Sequence, residues 1–229
     1  LAVPASDTEF LLRHWRGDGF ATYERDDGWG IAHPDVTAMV IAALPADVRH
    51  AHERPFIGWL ERWRAAETRL WPAYWWDSSF YTAFAVSELL RDRPDSADWT
   101  RLIPFGDRLE YTSLLDLVLA LGFIGNLPDT HMSVATPLLR QLLVAQQSDG
   151  AWPGSCVLRV TDPDCREPWH HPRGQLYEDC ARVVTTALAV RVLSQWILRL
   201  RATGGQAARV SVPTAAAARS ARAESGRRR

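Results

Sequence analysis

The residues able to do chemistry crowd into a few stretches of this chain. His33-Pro34-Asp35 opens an apolar run shortly after Trp29. A carboxylate placed there is either a helix N-terminal cap or dipole partner, or an acid available for proton transfer. Trp75, Trp76, Phe80 and Tyr81 crowd a second stretch around Asp77, where aromatic faces can pack at helix crossings or line a cavity for an apolar or cationic species. Asp162, Asp164, Cys165, His170, His171 and Cys180 crowd a third. Imidazole with thiolate is good zinc chemistry, but the spacing is not that of paired Cys-x-x-Cys, and a proline-rich cap with incidental polar residues accounts for it equally. Other chemistries drop out. All 26 basic residues are arginine, so Schiff bases, a lysine general base and a P-loop lysine are excluded. No Gly-x-Ser-x-Gly elbow occurs, and Pro153-Gly154-Ser155 reads as a turn.

These residues must be positioned by helices. Leu138, Leu139, Leu142, Leu143 and Ala145 recur at three- and four-residue steps, and Ser148-Asp149-Gly150 stops that helix before Trp152. The pattern repeats in degenerate form. Segments opening at Thr37-Ala38, Thr82-Ala83, Thr112-Ser113 and Thr186-Ala187 begin apolar helices, each expected to be buried on several sides. Aromatic or glycine turns precede them, as at Asp27-Gly28-Trp29, Trp71 to Trp76 and Asp149 to Trp152. More polar helices are expected at about 8–15, 56–68 and 134–146, with a short one before the third apolar helix broken by Pro94 and Pro104. The reading is seven or eight helices, outer and inner in alternation, and no strand, because no stretch alternates over a strand length. The class is all-α. Residues 155–178, with Pro163, Pro168 and Pro172, form a cap over one mouth.

The ending Gln147, Gly150, Trp152 resembles the QW motif of squalene-hopene cyclases and their relatives. That resemblance, strongest over 19–44 and 138–193, implies an α/α toroid of helical hairpins, in which Gln and indole tie an outer helix to the next inner one. It also implies a cavity that encloses an isoprenoid and cyclises it through carbocations. The family's Asp-x-Asp-Asp-Thr-Ala acid motif falls at Asp35-Val36-Thr37-Ala38, where two aspartates are missing. An alkene is a very poor base and needs a protonated, strengthened carboxylic acid. Asp35, with His33 beside it, is the expected replacement acid, and Trp29, Trp75, Trp76, Phe80 and Tyr81 the expected cation-stabilising lining. Asp26-Asp27 and the Asp92, Asp95, Asp98 spacing do not make the Asp-Asp-x-x-Asp cluster of ionising synthases. Asp77, Glu110, Glu178 and Asp179 stand near inner-helix starts, facing the ring centre or capping their helices. Zinc-dependent prenyl transfer, as in the related protein prenyltransferases, is a further alternative on Cys165, His170, His171 and Cys180, although no cofactor is expected. A ring of six hairpins needs twelve helices. Fewer are expected here, so a partner subunit or a missing N-terminal half would complete the ring, and a non-catalytic lipid-binding segment is the alternative reading.

Composition bounds the rest. With 229 residues the chain can bury one sizeable core, and a net charge of −1 argues against nucleic-acid binding. Its 3 cysteines read as reduced thiols, which points to the cytoplasm. The apolar runs 114–125 and 183–193 are shorter than the roughly 20 residues that span a bilayer. Nothing is expected to cross a membrane, while the basic end Arg227-Arg228-Arg229 allows peripheral contact with anionic lipid. The expected organisation is a toroid over 1–200, part of a longer protein, followed by a disordered Ala/Arg-rich tail over 201–229.

Overall fold

A computed structural model describes residues 4–63, 70–91, 111–127, 132–170 and 174–210. Helices α1 (Ala5–Arg13), α2 (Pro34–Ala43), α3 (Ala46–Arg62), α4 (Ser79–Leu90), α5 (Leu114–Gly125) and α6 (Met132–Val144) come first. Strands β1 (Cys156–Val160) and β2 (Gln175–Glu178) follow, and helix α7 (Val183–Val210) closes the order. The chain divides into a unit of Leu1–Val192 and a second from Leu193 onward. In the second, the Arg199 guanidinium lies over the Trp196 ring at 5.6 Å.

Composition separates the helices of the first unit. In α5 every residue from Leu115 to Gly125 is buried, and it packs against α4, which in turn packs against α2. Such helices are apolar all round because neighbours cover them on several sides. Gly122 permits the closest approach: a Cβ there would stand 2.8 Å from the Phe84 ring. Helices α3 and α6 carry one apolar stripe and polar remainders, as an outer layer requires. The core between the layers includes Phe20, Ile41, Phe56, Trp71, Phe84 and Leu119.

Aromatic turns join outer helix to inner helix by a repeated device. The Trp71 indole N–H donates to the Leu60 carbonyl in the last turn of α3 at 3.0 Å, and the Trp152 indole to the Leu142 carbonyl in the last turn of α6 at 2.7 Å. Each supplies a donor to a helix end whose carbonyls lack intrahelical partners. Inner-helix threonines grip the backbone of the same turns. Phe20 N–H donates to Thr37 Oγ1 at 2.7 Å, Thr82 Oγ1 donates to the Pro72 carbonyl at 3.1 Å, and Trp152 N–H donates to Thr186 Oγ1 at 3.2 Å. Gly150 takes φ +84°, which a glycine adopts without steric cost. Arg182, just before α7, reaches back to Gln147 Oε1 and to Asp149 at 2.9 Å. The Gln147–Trp152 turn therefore links α6 to α7.

Several expectations are corrected. Residues 156–178 hold an antiparallel hairpin where no strand was expected, with Leu158 paired to Tyr177 and Val160 to Gln175. The run is short and interrupted by a bulge, so alternation is too brief to register, and β1 is bridged on its other side by Trp75-Trp76-Asp77. Arg159 N–H donates to the Trp75 carbonyl at 2.7 Å, and Asp77 N–H to the Val157 carbonyl at 3.1 Å. Helix α3 starts at Ala46, earlier than expected, because Pro45 and the first-turn Asp47 open a polar stretch without apolar periodicity. The short helix expected before α5, broken by Pro94 and Pro104, lies outside the described residues, as do 211–229 of the expected tail. Helix α7 continues beyond residue 200, and Val183–Ala202 is long and apolar enough by length and composition to cross a bilayer. The apolar run looked shorter because Arg191 interrupts it. Yet Arg191 pairs with Glu88 of α4 and lies over Phe84 at 5.2 Å, a packed helix's contacts.

Candidate active site

Helix α2 begins where a loop rich in glycine and aromatics turns inward. Pro34 occupies its first turn, where a missing N–H costs nothing, and Asp35 follows at 1% exposure. The Asp35 side chain sits in the first turn of its own helix, whose Val36 and Asp35 N–H groups favour its charged form, but its strongest backbone partners lie elsewhere. Its Oδ2 accepts from two consecutive backbone N–H groups across the site, Tyr74 at 3.1 Å and Trp75 at 3.0 Å. Its Oδ1 is buried and has no hydrogen-bond partner. Burial raises the carboxyl above its ordinary value, and the Trp75 and Tyr74 N–H groups offset this only in part. The group is thus a buried carboxyl with one oxygen fixed and the other without a partner.

His33 is held in one form. Its Nε2 lies 2.9 Å from the Gly28 carbonyl and its Nδ1 3.4 Å from Thr22 Oγ1. A carbonyl can only accept, so Nε2 carries the proton and Nδ1 accepts from the Thr22 hydroxyl, which itself accepts from the Trp75 indole N–H at 2.6 Å. Burial lowers the imidazole to about 4, with the Gly28 hydrogen bond opposing. His33 is therefore neutral near pH 7, and its ring stacks on Tyr74 at 3.8 Å. It supplies no positive charge to the acid.

The aromatic residues fall into two groups. Trp29 and Trp75 meet at 5.6 Å, with Tyr23 at 5.6 Å from Trp29 and His33 at 6.2 Å from Trp75. Trp76 and Tyr81 stack at 3.8 Å, and Phe80, largely in the core, lies 5.6 Å from Tyr111. Burial pushes the Tyr81 phenol up to about 12, with the Asp35 charge contributing and Arg191 opposing. The structure thus brings Asp35, His33, Trp29 and Trp75 together, with Tyr81 within electrostatic reach.

Tyr74, Thr22, Thr161 and the Cys165 carbonyl carry no site signal in the sequence. Tyr74 was visible only as one ring in an aromatic turn, yet its hydroxyl donates to the Cys165 carbonyl at 2.6 Å and accepts from Thr161 Oγ1 at 3.0 Å. The Trp29 indole donates to the Thr161 carbonyl at 3.2 Å, and Gly28 N–H to the Pro163 carbonyl at 2.6 Å. The cap segment 161–165 is thereby docked on the acid's own loop.

Other candidate acids have separate duties. Asp77 pairs with Arg159 at 2.6 Å, and Asp179 accepts from the Val183 and Thr185 N–H groups at the start of α7. Asp27 pairs with Arg25 at 2.6 Å and accepts from Trp29 N–H. Glu178 is exposed on β2, while Glu110, Asp92, Asp95 and Asp98 lie outside the described residues. For zinc, no group of at least three His, Cys, Asp or Glu able to hold a metal occurs among the described residues, and His171 lies outside them. His170 pairs with Glu167 at 3.5 Å, Cys180 is exposed, and Cys165 engages through its carbonyl rather than its thiol. A separate open cleft of about 530 Å³ lies over Trp59 and Trp63, rimmed by Arg16, Arg25, Asp26 and Arg166.

No protein-family model and no curated protein matches this chain. Solved structures do. A protein from Actinoplanes superposes with a TM-score of 0.68 at 23% identity, covering 82% of this chain and 67% of that one. The type II terpene cyclase MstE from Scytonema superposes in its apo form with a TM-score of 0.65 at 19% identity, covering 80% and 63%. An aspartate-to-asparagine variant of MstE, in complex with its substrate geranylgeranyl dihydroxybenzoate, gives 0.66 at 20% identity, covering 81% and 64%. The fold is thus the α/α toroid of type II terpene cyclases, and the chain spans about two thirds of these neighbours' length.

Proposed function

We propose that this chain is a type II terpene cyclase-like protein that takes an isoprenoid and, where active, cyclises it by protonation at Asp35. One observation carries the reading: a fully buried carboxyl whose Oδ2 is held by two backbone N–H groups and whose Oδ1 is buried with no partner. Burial holds such a carboxyl above the ordinary carboxylate range, and the unpartnered oxygen is the one from which a proton would be given. In the reaction, Oδ1–H transfers its proton to a terminal alkene, whose π electrons form the new C–H bond and leave a tertiary carbocation. Neighbouring alkenes attack in turn, and loss of a proton from the last cation makes the product an isomer of the substrate. The rings of Trp29, Trp75, Trp76, Phe80 and Tyr81 would stabilise the cations, by about 0.5–2 kcal/mol each. His33, neutral, would serve as a brace rather than a charge partner.

The neighbour MstE is crystallised with an isoprenoid substrate and with the product merosterolic acid A, which supports an apolar small molecule as the ligand class here. A squalene-type or a prenyl-arene substrate would both suit an alkene-protonating acid. The test is mass spectrometry of an organic extract of the protein, then incubation with squalene, C15 to C20 prenyl diphosphates and geranylgeranyl dihydroxybenzoate. A cyclised isomer whose rate falls roughly a hundred- to ten-thousand-fold in Asp35→Asn supports the reading. Turnover unchanged in Asp35→Asn sinks it. A second reading, a lipid-binding segment completed by further helices, is favoured by the chain's spanning only about two thirds of its neighbours. It predicts bound isoprenoid without turnover.

A further inference from the structure

Tyr74 touches both the acid and the cap. Its backbone N–H is one of the two donors on Asp35 Oδ2, at 3.1 Å. Its ring lies against His33 at 3.8 Å with an interplanar angle of 19°. Its hydroxyl donates to the Cys165 carbonyl at 2.6 Å and accepts from Thr161 Oγ1 at 3.0 Å. The residue is 0% exposed. A buried phenol needs hydrogen-bond partners, and both of these belong to the cap segment 161–165. The two donors on Asp35 come from adjacent peptide units that meet at the Tyr74 Cα, so a shift of Tyr74 displaces both. The Cys165 carbonyl and Pro163 carbonyl meanwhile press on Gly28, whose own carbonyl fixes His33. A second route, from the Thr161 carbonyl through the Trp29 indole and the Trp75 ring, reaches the other donor, Trp75 N–H, so Tyr74 is the direct link and Trp29 the indirect one.

We propose that Tyr74 is a positioning residue that couples the seating of the 161–165 cap to the orientation of the acid Asp35, so that the acid is set only when the cap is docked. The inference rests on the reading of Asp35 as the acid. With the cap seated, Tyr74 and Trp75 hold Oδ2 in a dry site. With the cap lifted, the phenol loses both partners, the Tyr74–Trp75 peptide is released, and water reaches the carboxyl. The titratable and charged groups around this path are neutral His33, Tyr81 with Arg191 and Glu88 beside it, and Asp27 and the Cys165 thiol near Tyr74.

Tyr74→Phe is the direct test, since it keeps the ring on His33 and the backbone donor on Asp35 and removes only the hydroxyl. Thr161→Val, which removes the second contact from the cap side, covers the case in which Tyr74→Phe fails to fold. Two readouts on the full chain need no substrate. Hydrogen exchange of the amides in 161–165 reports cap seating, and carboxyl carbon NMR of labelled aspartates reports Asp35, whose signal is identified by its loss in Asp35→Asn. The expected result is at least tenfold faster cap exchange together with an Asp35 titration midpoint displaced towards that of an ordinary aspartate. Faster exchange with an unmoved Asp35 midpoint overturns the coupling, and unchanged exchange overturns the phenol's hold on the cap. Turnover retained in Asp35→Asn would instead refute the acid reading, a failure visible separately from either.

Discussion

Asp35 and His33 stand two positions apart and titrate in opposite directions on folding, both driven first by burial. For Asp35 the folded state holds its proton more tightly than the unfolded chain. The stability it contributes is complete below its ordinary value of 3.8 and is withdrawn as pH rises towards the raised folded value. Asp35→Asn has no proton to lose, so its denaturant midpoint is expected to gain on wild type between about pH 4 and neutrality. For His33 the folded state favours the neutral ring, with its pKa at about 4 against 6.5. Its contribution is complete above 6.5 and is lost as pH falls towards about 4, by roughly 3 kcal/mol at about 1.4 kcal/mol per unit. His33→Gln should flatten that acid limb in urea titrations at stepped pH. A limb as steep as wild type would mean that the imidazole is solvated. Neither shift is readable from His33-Pro34-Asp35 as letters. Burial sets both directions, and the Tyr74 and Trp75 N–H groups that oppose it at Asp35 lie about forty residues away and belong to the backbone.

Between elements, the same two devices recur, and they differ in redundancy. The Leu60 carbonyl accepts from Trp63 N–H as well as from the Trp71 indole, whereas the Leu142 carbonyl takes the Trp152 indole in the last turn of α6. Trp152→Phe therefore strands a buried carbonyl, at about 1–3 kcal/mol. Trp71→Phe, which leaves its carbonyl one partner, is expected to cost less by thermal denaturation, and equal costs would refute the argument. Gly28 is the tightest junction between cap and α2 loop. A Cβ there would lie 2.5 Å from the Cys165 carbonyl oxygen and 2.6 Å from that of Pro163. These are backbone atoms that cannot swing away, so Gly28→Ala should unseat the cap and expose Thr161 and Cys165, seen as faster thiol labelling of Cys165 with the helical circular dichroism retained. The threonine repeat was legible as a period; its work, gripping the preceding turn, was not, since it depends on where that turn lies.

For the molecule as a whole, about a third of the neighbours' length lies outside the part this chain matches, and α7 presents Val183 at 64% exposure and Ile197 at 49%. If the Val183 face is solvent-exposed in this chain alone, Val183→Ser should change stability by no more than about 0.5 kcal/mol in chemical denaturation. A larger loss would show the face covered, by self-association or by further chain. Arg191, by contrast, is engaged with Glu88 and Phe84. The arginine that breaks the hydrophobic run of α7 is thus held by α4 rather than left in solvent.

Periodicity, glycine and proline punctuation and the Trp-bearing turns were enough to determine from sequence that the chain is helical, that outer and inner helices alternate, and that its repeat resembles that of the toroidal cyclases. These signals are local, set by which faces must be buried and by where a turn can form. The hairpin over 156–178 escaped because its first strand is held between β2 and a distant backbone, Trp75 to Asp77. The acid's orphan oxygen, the neutral histidine and the Tyr74 link to the cap were decided only by tertiary structure. Burial and hydrogen bonding between segments far apart in sequence create them, and no residue's identity encodes which backbone N–H will stand opposite it.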